Sequence, residues 1–520
     1  MKPGLVIALP QGLNVSGVTM WGVRAANGLV ARGRPAGLIL HPTPSGQSRL
    51  DLPIDERVVV CDLSDRAPIA ACAGDVRAFV GPYLETIERV AGGDLCAVSP
   101  NLHGDCYGVV AAIAQAKPGL VRTIGWQHSD IAYDRRLLTH YEPLLHRFVG
   151  VSERIACDLR AALPMRRGDV RDLAYGVEVP ERFPKEPAPG ERASGSPIRL
   201  LYTGRIEHEQ KRIASLVHLH DALVARGIAF ELTLIGDGPA SAEIDEACAR
   251  RPAMRRLPPA GPGEIRALLR AHDAFVLGSR YEGLSISMLE ALAAGCVPIV
   301  AGVRSGAAQA IADGGNGVLV SATPEDSAEA SGMALADGVE RALSLGIGKL
   351  ARAAWNTAIE RFSIARHLDA VEALIDEAGA EPGRAWPATR ACAFSAAGGS
   401  GGASGSVPSG AAELLRALLG RLAGERVVLH GAGRHTIELA SVLAESNGEI
   451  VGVTDDDPAR VGQRLLGWTI REPGRAHETG ATAVVLSSWM HQRAMLARAG
   501  VFERQGLAVH AIYPDASLPA

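Results

Sequence analysis

The chain has 520 residues, of which 47% are hydrophobic and only 4% aromatic, with a net charge of −4. That length is enough for about three domains of roughly 150 residues each, and a core rich in Ala, Gly, Val and Leu suits repeated βα units better than a β-sandwich. The small negative charge gives no reason to expect nucleic acid or a strongly anionic membrane as a partner, and no run approaches the ~18 apolar residues of a membrane-spanning helix.

Eight cysteines are present and none forms a Cys-x-x-Cys pair. Most sit among apolar or Ala-rich neighbours and read as buried free thiols of a reducing cytoplasm. The five-residue apolar run Leu5–Leu9 ends at Pro10 and is too short for the apolar region of a signal peptide. A cytoplasmic protein is expected, with peripheral contact at the inner face of a membrane left open.

In chain order, Leu5–Leu9 is a buried-strand run followed by a polar loop that ends in Ser16-Gly17. A helix is expected from Val18 to Arg32, stopped by Gly33, and then a strand at 37–41. Strand, Gly loop, helix and strand make a βαβ unit and imply a parallel sheet, with ligands bound at the strands' carboxyl ends. Further strand runs lie at Val58–Cys61, Leu95–Ser99 and Val121–Ile124. The last leads to His128, which as a loop residue is either structural or a hydrogen-bond donor in a cleft. Ser152 reads as the N-cap of a helix reaching Leu163. Val170–Ala174 is a sixth strand-like piece, ending in Tyr175-Gly176-Val177. Pro180 to Pro197 holds five prolines and reads as a linker between domains.

A second series of βα units begins at Ile198–Thr203, with Gly204-Arg205 at the strand's carboxyl end. Lys211 is expected to open a helix running to Arg226. Phe230–Ile235 is a strand ending in Gly236-Asp237-Gly238-Pro239. After the strand Ala274–Leu277 comes Glu282-Gly283-Leu284-Ser285 and then a Leu-, Met- and Ala-rich helix. This places unpartnered amides and a positive dipole end where phosphate binds readily. Glu290 follows Glu282 by eight residues, about two helical turns, so the two acids would reach different parts of one elongated ligand. Taken alone, the same stretch is also an ordinary surface loop and amphipathic helix. A helix-prone segment from Pro324 to Glu377 closes the series. Two such series predict a ligand cleft between two lobes.

Residues 395–406 are of low complexity and read as a flexible Gly/Ser/Ala linker within 379–412. Beyond it, the strand Arg426–His430 leads into Gly431-x-Gly433 and a helix to about Glu445, and the strand Glu449–Thr454 ends at Asp455. This approximates a dinucleotide fingerprint, with Thr436 at the third glycine position. It is either a nucleotide-like site of Gly431, Gly433 and Asp455 or only a tight turn.

Four motifs in this order resemble the retaining glycosyltransferases of the GT-B fold, in particular glycosyltransferase family 4, over residues 1 to about 378. They are Ser16-Gly17 with the Arg24–Gly33 helix, Gly204-Arg205 with Lys211, Gly236-x-Gly238-Pro239, and Glu282 with Glu290. Tyr175 replaces the family's usual Asn, Lys211 comes one residue late, and Ser285 stands where Gly or Pro is common. The C-terminal stretch resembles nucleotide-binding-like domains attached to sugar-modifying bacterial enzymes. The resemblance implies an α/β fold with two Rossmann-like lobes and an interlobe cleft. The expected boundaries are 1–185 for the acceptor lobe, 196–378 for the donor lobe, 379–412 for the linker and 413–520 for a small Rossmann-like accessory domain.

It further implies transfer of a sugar, typically a hexose, from a UDP- or GDP-sugar to a glycan or lipid-linked acceptor in bacterial cell-surface polysaccharide or glycoconjugate synthesis. Arg205 and Lys211 would hold the charge that grows on the leaving diphosphate, helped by the amides of Leu284 and Ser285. By the same resemblance Glu282 would bind the sugar, Glu290 the ribose, His128 would lie at the reacting face, and Ser16, Gly17, Gly204, Gly236, Gly238 and Gly283 would line the donor site. No Asp-x-Asp cluster stands in this context, so no metal and no cofactor are expected. Two other readings are a GT-B sugar-nucleotide 2-epimerase and a non-catalytic nucleotide-sugar-binding protein.

Overall fold

The computed structural model describes residues 2–44, 49–72, 75–101, 103–185, 196–387, 390, 392–394, 411–439, 442–443, 449–457, 460–465, 467–488 and 492–513. It divides into two compact units, residues 1–394 and 395–520.

The first unit holds two parallel sheets. One contains β1 (Gly4–Leu9), β2 (Ala36–Leu40), β3 (Val59–Asp62), β4 (Cys96–Ser99), β5 (Val121–Gln127), β6 (Leu145–Gly150) and β7 (Val170–Asp172), in the order β3-β2-β1-β4-β5-β6-β7. The other contains β8 (Ile198–Thr203), β9 (Phe230–Ile235), β10 (Met254–Leu257), β11 (Ala274–Leu277), β12 (Val297–Ala301) and β13 (Val318–Val320), in the order β10-β9-β8-β11-β12-β13. In each, the strand order reverses beside the first strand, between β1 and β4 and between β8 and β11. This is where doubly wound sheets open a crevice for ligands. The central strands are apolar along their whole length because helices cover both faces; every residue of β1, β5 and β11 is buried. The two Rossmann-like lobes are those expected of the GT-B architecture.

Three local expectations need correction. Lys211 does not open a helix. It lies in a turn with Arg212 at φ 48, and the helix begins at Ala214. The segment after Pro324 is three helices, Ala328–Leu345, Ile347–Arg361 and Ile364–Gly379, broken at Gly346 with φ 89 and again at Phe362-Ser363. The third helix leaves the second sheet and packs on the first lobe. Arg34, fully buried, pairs with Asp376 at 2.9 Å and Glu372 at 3.2 Å, and Arg147 pairs with Glu377 at 3.0 Å.

Residues expected to begin the flexible linker continue along the same surface. Trp386 is buried against Tyr141 at 5.1 Å between ring centres, the Tyr141 hydroxyl donates to the Cys392 carbonyl at 2.6 Å, and Phe394 meets Tyr133. Sequence reading failed here because an amphipathic helix does not name the sheet it covers. Residues 395–410 lie outside the described residues.

The second unit is a sheet of β14 (Arg426–His430), β15 (Glu449–Thr454), β16 (Arg464–Leu465), β17 (Trp468–Arg471), β18 (Ala483–Leu486) and β19 (Ala508–Ala511), ordered β16-β17-β15-β14-β18-β19. Only the β16–β17 pair is antiparallel. Leu415 and Leu418 from the helix Ala411–Arg421 join Val427, Leu429 and Val453 in its core. The helix expected to reach Glu445 is described over Arg434–Glu438 and at 442–443.

All eight cysteines are free, but only Cys96, Cys106 and Cys296 are buried, and Cys157 is exposed. No helix among the described residues is long and apolar enough to cross a membrane.

Candidate active site

The carboxyl ends of β8 and β11 bring three predicted residues together. Glu282 follows β11 and is 9% exposed. Its Oε1 takes the Lys211 ammonium at 2.5 Å and the Ser279 hydroxyl at 2.7 Å, and its Oε2 takes the Gln210 side-chain amide at 3.4 Å. Gln210 also accepts from Arg205 at 2.6 Å and donates to the Tyr281 carbonyl at 3.2 Å. Arg205, Gln210, Glu282 and Lys211 thus form one connected polar network. Glu207 fixes the turn that carries Lys211 by accepting from the backbone amides of Gln210 and Lys211, the latter at 2.7 Å. Spacing motifs do not report Gln210 and Glu207. Their adjacency to Lys211 was the only available signal.

Ser285 is the N-cap of the helix Ile286–Ala293 and accepts from the Met288 amide at 3.3 Å. Among the described residues the amides of Leu284 and Ser285 donate to no protein acceptor. They remain available to an anion at this helix end. A small pocket is lined by Ser279, Glu282, Ser285, Met288, Val303 and Ser305, among others.

The glycines of the site are explained by close backbone approaches. A Cβ at Gly236 would lie 1.9 Å from the Gly204 carbonyl oxygen, and one at Gly238 2.4 Å from that of Ile206. The loops after β8 and β9 can touch only if these positions lack side chains. A Cβ at Gly283 would lie 2.0 Å from the His128 carbonyl oxygen, so Gly283 lets the two lobes meet. Gly17 opens the helix Gly17–Ala31, capped by Ser16, and faces Ile286 across the cleft.

His128 differs from its expected role as a donor into the cleft. Its ring is 4% exposed, with Nδ1 2.5 Å from the Tyr175 hydroxyl and Nε2 3.2 Å from Asn101 Oδ1. Asn101 Oδ1 accepts from Nε2–H, so the Tyr175 hydroxyl donates to Nδ1. The ring is stacked between Trp126 and Tyr175, and burial lowers its pKa to about 3, so it stays neutral at physiological pH. It is the backbone carbonyl of His128 that reaches the opposite lobe. Tyr175, which replaces the family's usual Asn, is therefore the hydrogen-bond partner that orients His128. Glu290 sits on the helix Ile286–Ala293 and is paired with Arg24 of the helix Gly17–Ala31. A single sequence offers no means of pairing Arg24 with it.

In the second unit, Gly431 adopts φ 113, which favours glycine, and the Ala432 amide donates to Asp455 Oδ2 at 2.6 Å. Asp455 thus occupies an amide of the Gly431–Gly433 loop. The Thr436 hydroxyl donates to the Gly431 carbonyl and accepts from the Ser487 hydroxyl at 2.7 Å, bracing the turn from inside.

This geometry can be set beside known proteins. Residues 197–337 match the family described as glycosyl transferases group 1. The likeness is confined to that stretch. It spans β8 to β13 and contains Arg205, Lys211, Glu282 and Glu290. The Bacillus subtilis (strain 168) protein EpsF, which carries a glycosyltransferase name, is 36% identical over 141 residues, 26% of this chain and 37% of that one. Glycogen synthase of Mycobacterium tuberculosis (strain ATCC 25618 / H37Rv) is 32% identical over 149 residues, 27% of this chain and 34% of that one. The chain thus spans about a third of the length of these curated relatives.

Among solved structures, the Anabaena protein Alr3699/HepE in complex with UDP and glucose covers 72% of this chain and 99% of its own at a TM-score of 0.55 and 13% identity. Sucrose-phosphate synthase from Thermosynechococcus elongatus covers 72% of this chain and 98% of its own at 0.56 and 16%. These likenesses establish the GT-B fold of the first unit. The group 1 match falls within its second lobe.

Proposed function

We propose that this chain is a retaining glycosyltransferase that moves a hexose or similar sugar from a UDP- or GDP-sugar to a glycan or lipid-linked acceptor in bacterial cell-surface polysaccharide synthesis. The observation that carries the reading is the network joining Arg205, Gln210, Lys211 and Glu282 at the mouth of the group 1 lobe. The UDP and glucose named with the Anabaena neighbour support a nucleotide-sugar donor here.

In this reading the donor diphosphate lies between Arg205, Lys211 and the amides of Leu284 and Ser285. Charge builds on it as the anomeric carbon–oxygen bond breaks, and preorganised cations and amides lower the barrier by holding that charge. Lys211 is close enough to exchange one Glu282 oxygen for a phosphate oxygen, leaving Glu282 to hold the sugar hydroxyls. Glu290 takes the ribose. The chemistry assigned to these groups calls for no metal. The His128 carbonyl, at the meeting point of the lobes, bounds the sugar subsite. Gly431, Gly433 and Asp455 form a separate nucleotide-like site in the second unit. The protein acts on the cytoplasmic side, at the inner face of the membrane.

A screen of UDP- and GDP-sugars by thermal shift tests the donor, since a ligand bound only by the folded state raises its stability. Product NMR then reads the anomeric configuration. Folded Glu282→Ala and Arg205→Ala variants should lose transfer. Full activity in both would overturn the reading.

A further inference from the structure

The helix Gly17–Ala31 packs along a single face against the helix Ile286–Ala293 of the opposite lobe and the helix Ile364–Gly379. Gly17 faces Ile286, Trp21 donates to His367 Nε2 at 2.9 Å, Arg24 pairs with Glu290, and Gly28 accommodates Leu368. The steps between these residues, four, three and four, are those of one helical stripe. Only one position on this stripe is charged.

The Arg24 and Glu290 side chains are 12% and 14% exposed. Arg24 Nη2 holds Glu290 Oε1, while Arg24 Nη1 is buried with no acceptor among the described residues. A buried guanidinium N–H without an acceptor is costly. Arg24 Nη1 needs an acceptor, the neighbouring Glu290 can accept a further donor, and a hydroxyl serves as both.

The geometry points to Arg24 and Glu290 as a composite ribose clamp spanning both lobes. One hydroxyl of the ribose cis-diol donates to Glu290 and accepts from Arg24 Nη1. The ligand class is a ribonucleotide, distinguished from a deoxyribonucleotide by that hydroxyl. The clamp rests on the proposal that a nucleotide sugar is the donor. It adds a residue from the acceptor lobe, so donor affinity becomes coupled to the approach of the two lobes.

The test uses the full chain with its nucleotide-sugar donor and the 2′-deoxy and 3′-deoxy analogues. Wild type is expected to show a KM about 10- to 100-fold higher for one analogue, the scale of a hydrogen bond to a charged group. Arg24→Gln is expected to raise the KM of the natural donor about tenfold, with kcat within about threefold, and to abolish most of the discrimination against that analogue. Arg24→Lys restores the ion pair and should recover part of the affinity. Should Arg24→Gln fail to fold, Glu290→Gln reads the same loss of discrimination from the other side. Equal losses on natural and deoxy donors would reduce Arg24 to a structural contact and overturn the clamp. So would unchanged discrimination. A wild-type protein that binds no nucleotide sugar overturns the donor proposal and the clamp together, whereas wild-type transfer with discrimination intact in both variants overturns the clamp alone.

Discussion

In the lobe built on β8, the cleft wall is charged: Arg205, Lys211 and Glu282 sit on loops at the strands' carboxyl ends, paired with one another and still partly open. In the lobe built on β1, the wall is aromatic and, apart from Arg24, neutral. Trp21, Trp126, His128 and Tyr175 pack ring on ring, and burial keeps the histidine uncharged. Both lobes use the same sheet order and the same crevice. Under the proposed function, the difference teaches that one scaffold divides two tasks, one lobe stabilising developing charge and the other supplying shape and neutral hydrogen bonds. Charge is needed where the leaving group departs and would only add a desolvation cost where a neutral hydroxyl is seated.

The comparison breaks most visibly at the Lys211–Glu282 pair. Lys211→Met should lower kcat about 10²- to 10³-fold, the scale of losing one donor to a developing anion. It should also destabilise the fold by ~3 kcal/mol, because Glu282 is left nearly buried without its cation. Adding Glu282→Gln should restore much of the stability, read by denaturant unfolding, but none of the turnover. Recovery of turnover in the double variant would show that the charged wall is structural.

Gly283→Ala tests the contact between the walls. Its methyl would strike the His128 carbonyl, so the lobes must separate. Donor KM should rise about tenfold, and stability should fall by ~1–3 kcal/mol, as for other overpacked sites.

Acid sharpens the comparison on the neutral side. His41, His103, His146 and His367 have pKa values lowered by burial to about 4, and His128 to about 3. Their contribution is present above the unfolded value of 6.5 and is lost as pH falls through the folded values. Asp105 and Asp134, raised by burial to about 6 and about 7, act in the opposite sense, costing stability as pH rises from the ordinary carboxylate range. Five histidines outweigh two acids. The first unit should lose several kcal/mol in all between about pH 6.5 and 4, visible as a falling Tm.

Tyr175→Phe leaves His128 Nδ1 buried without its donor and should cost ~1–2 kcal/mol. The smallest effect is expected furthest from the cleft. Gly431→Ala strains a residue at φ 113 and should destabilise the second unit by ~1 kcal/mol, with transfer unchanged.

Most of the charged wall was legible in the sequence and little of the neutral one. Arg205, Lys211, Glu282 and Glu290 stand out as a set of motifs in one order, since each charge alone also reads as an ordinary surface residue, and the structure brings the first three into one network. The glycines were legible as positions but not in their cause, since close approach between loops depends on the partner backbone. His128 was found, but its orientation was not. Tyr175, Asn101 and Arg24 act through partners 47, 27 and 266 residues away, and no local pattern encodes such separations. Most expected strands lie within two residues of the observed ones because apolar runs are bounded by turns, but β5 runs three residues past its expected end and the less apolar β10, β16, β17 and β19 were not expected. The helix Ile364–Gly379 was placed in the wrong lobe because its amphipathic stripe fits any apolar surface.

That helix bears on how the chain is made. The lobe synthesised first carries the buried cations Arg34 and Arg147, whose carboxylates at 372, 376, 377 and 381 emerge from the ribosome 230 to 342 residues later. Trp386, which seals the same surface, comes later still. At a synthesis rate of roughly 5–20 residues per second, the nascent first lobe waits on the order of ten seconds or more with an unmatched apolar face and uncompensated charge. The second lobe, whose sheet is contiguous from Ile198 to Val320, has no such debt. The lobe that begins the chain is therefore the one that holding chaperones should bind during translation, and a chain stopped before residue 364 should leave it incomplete.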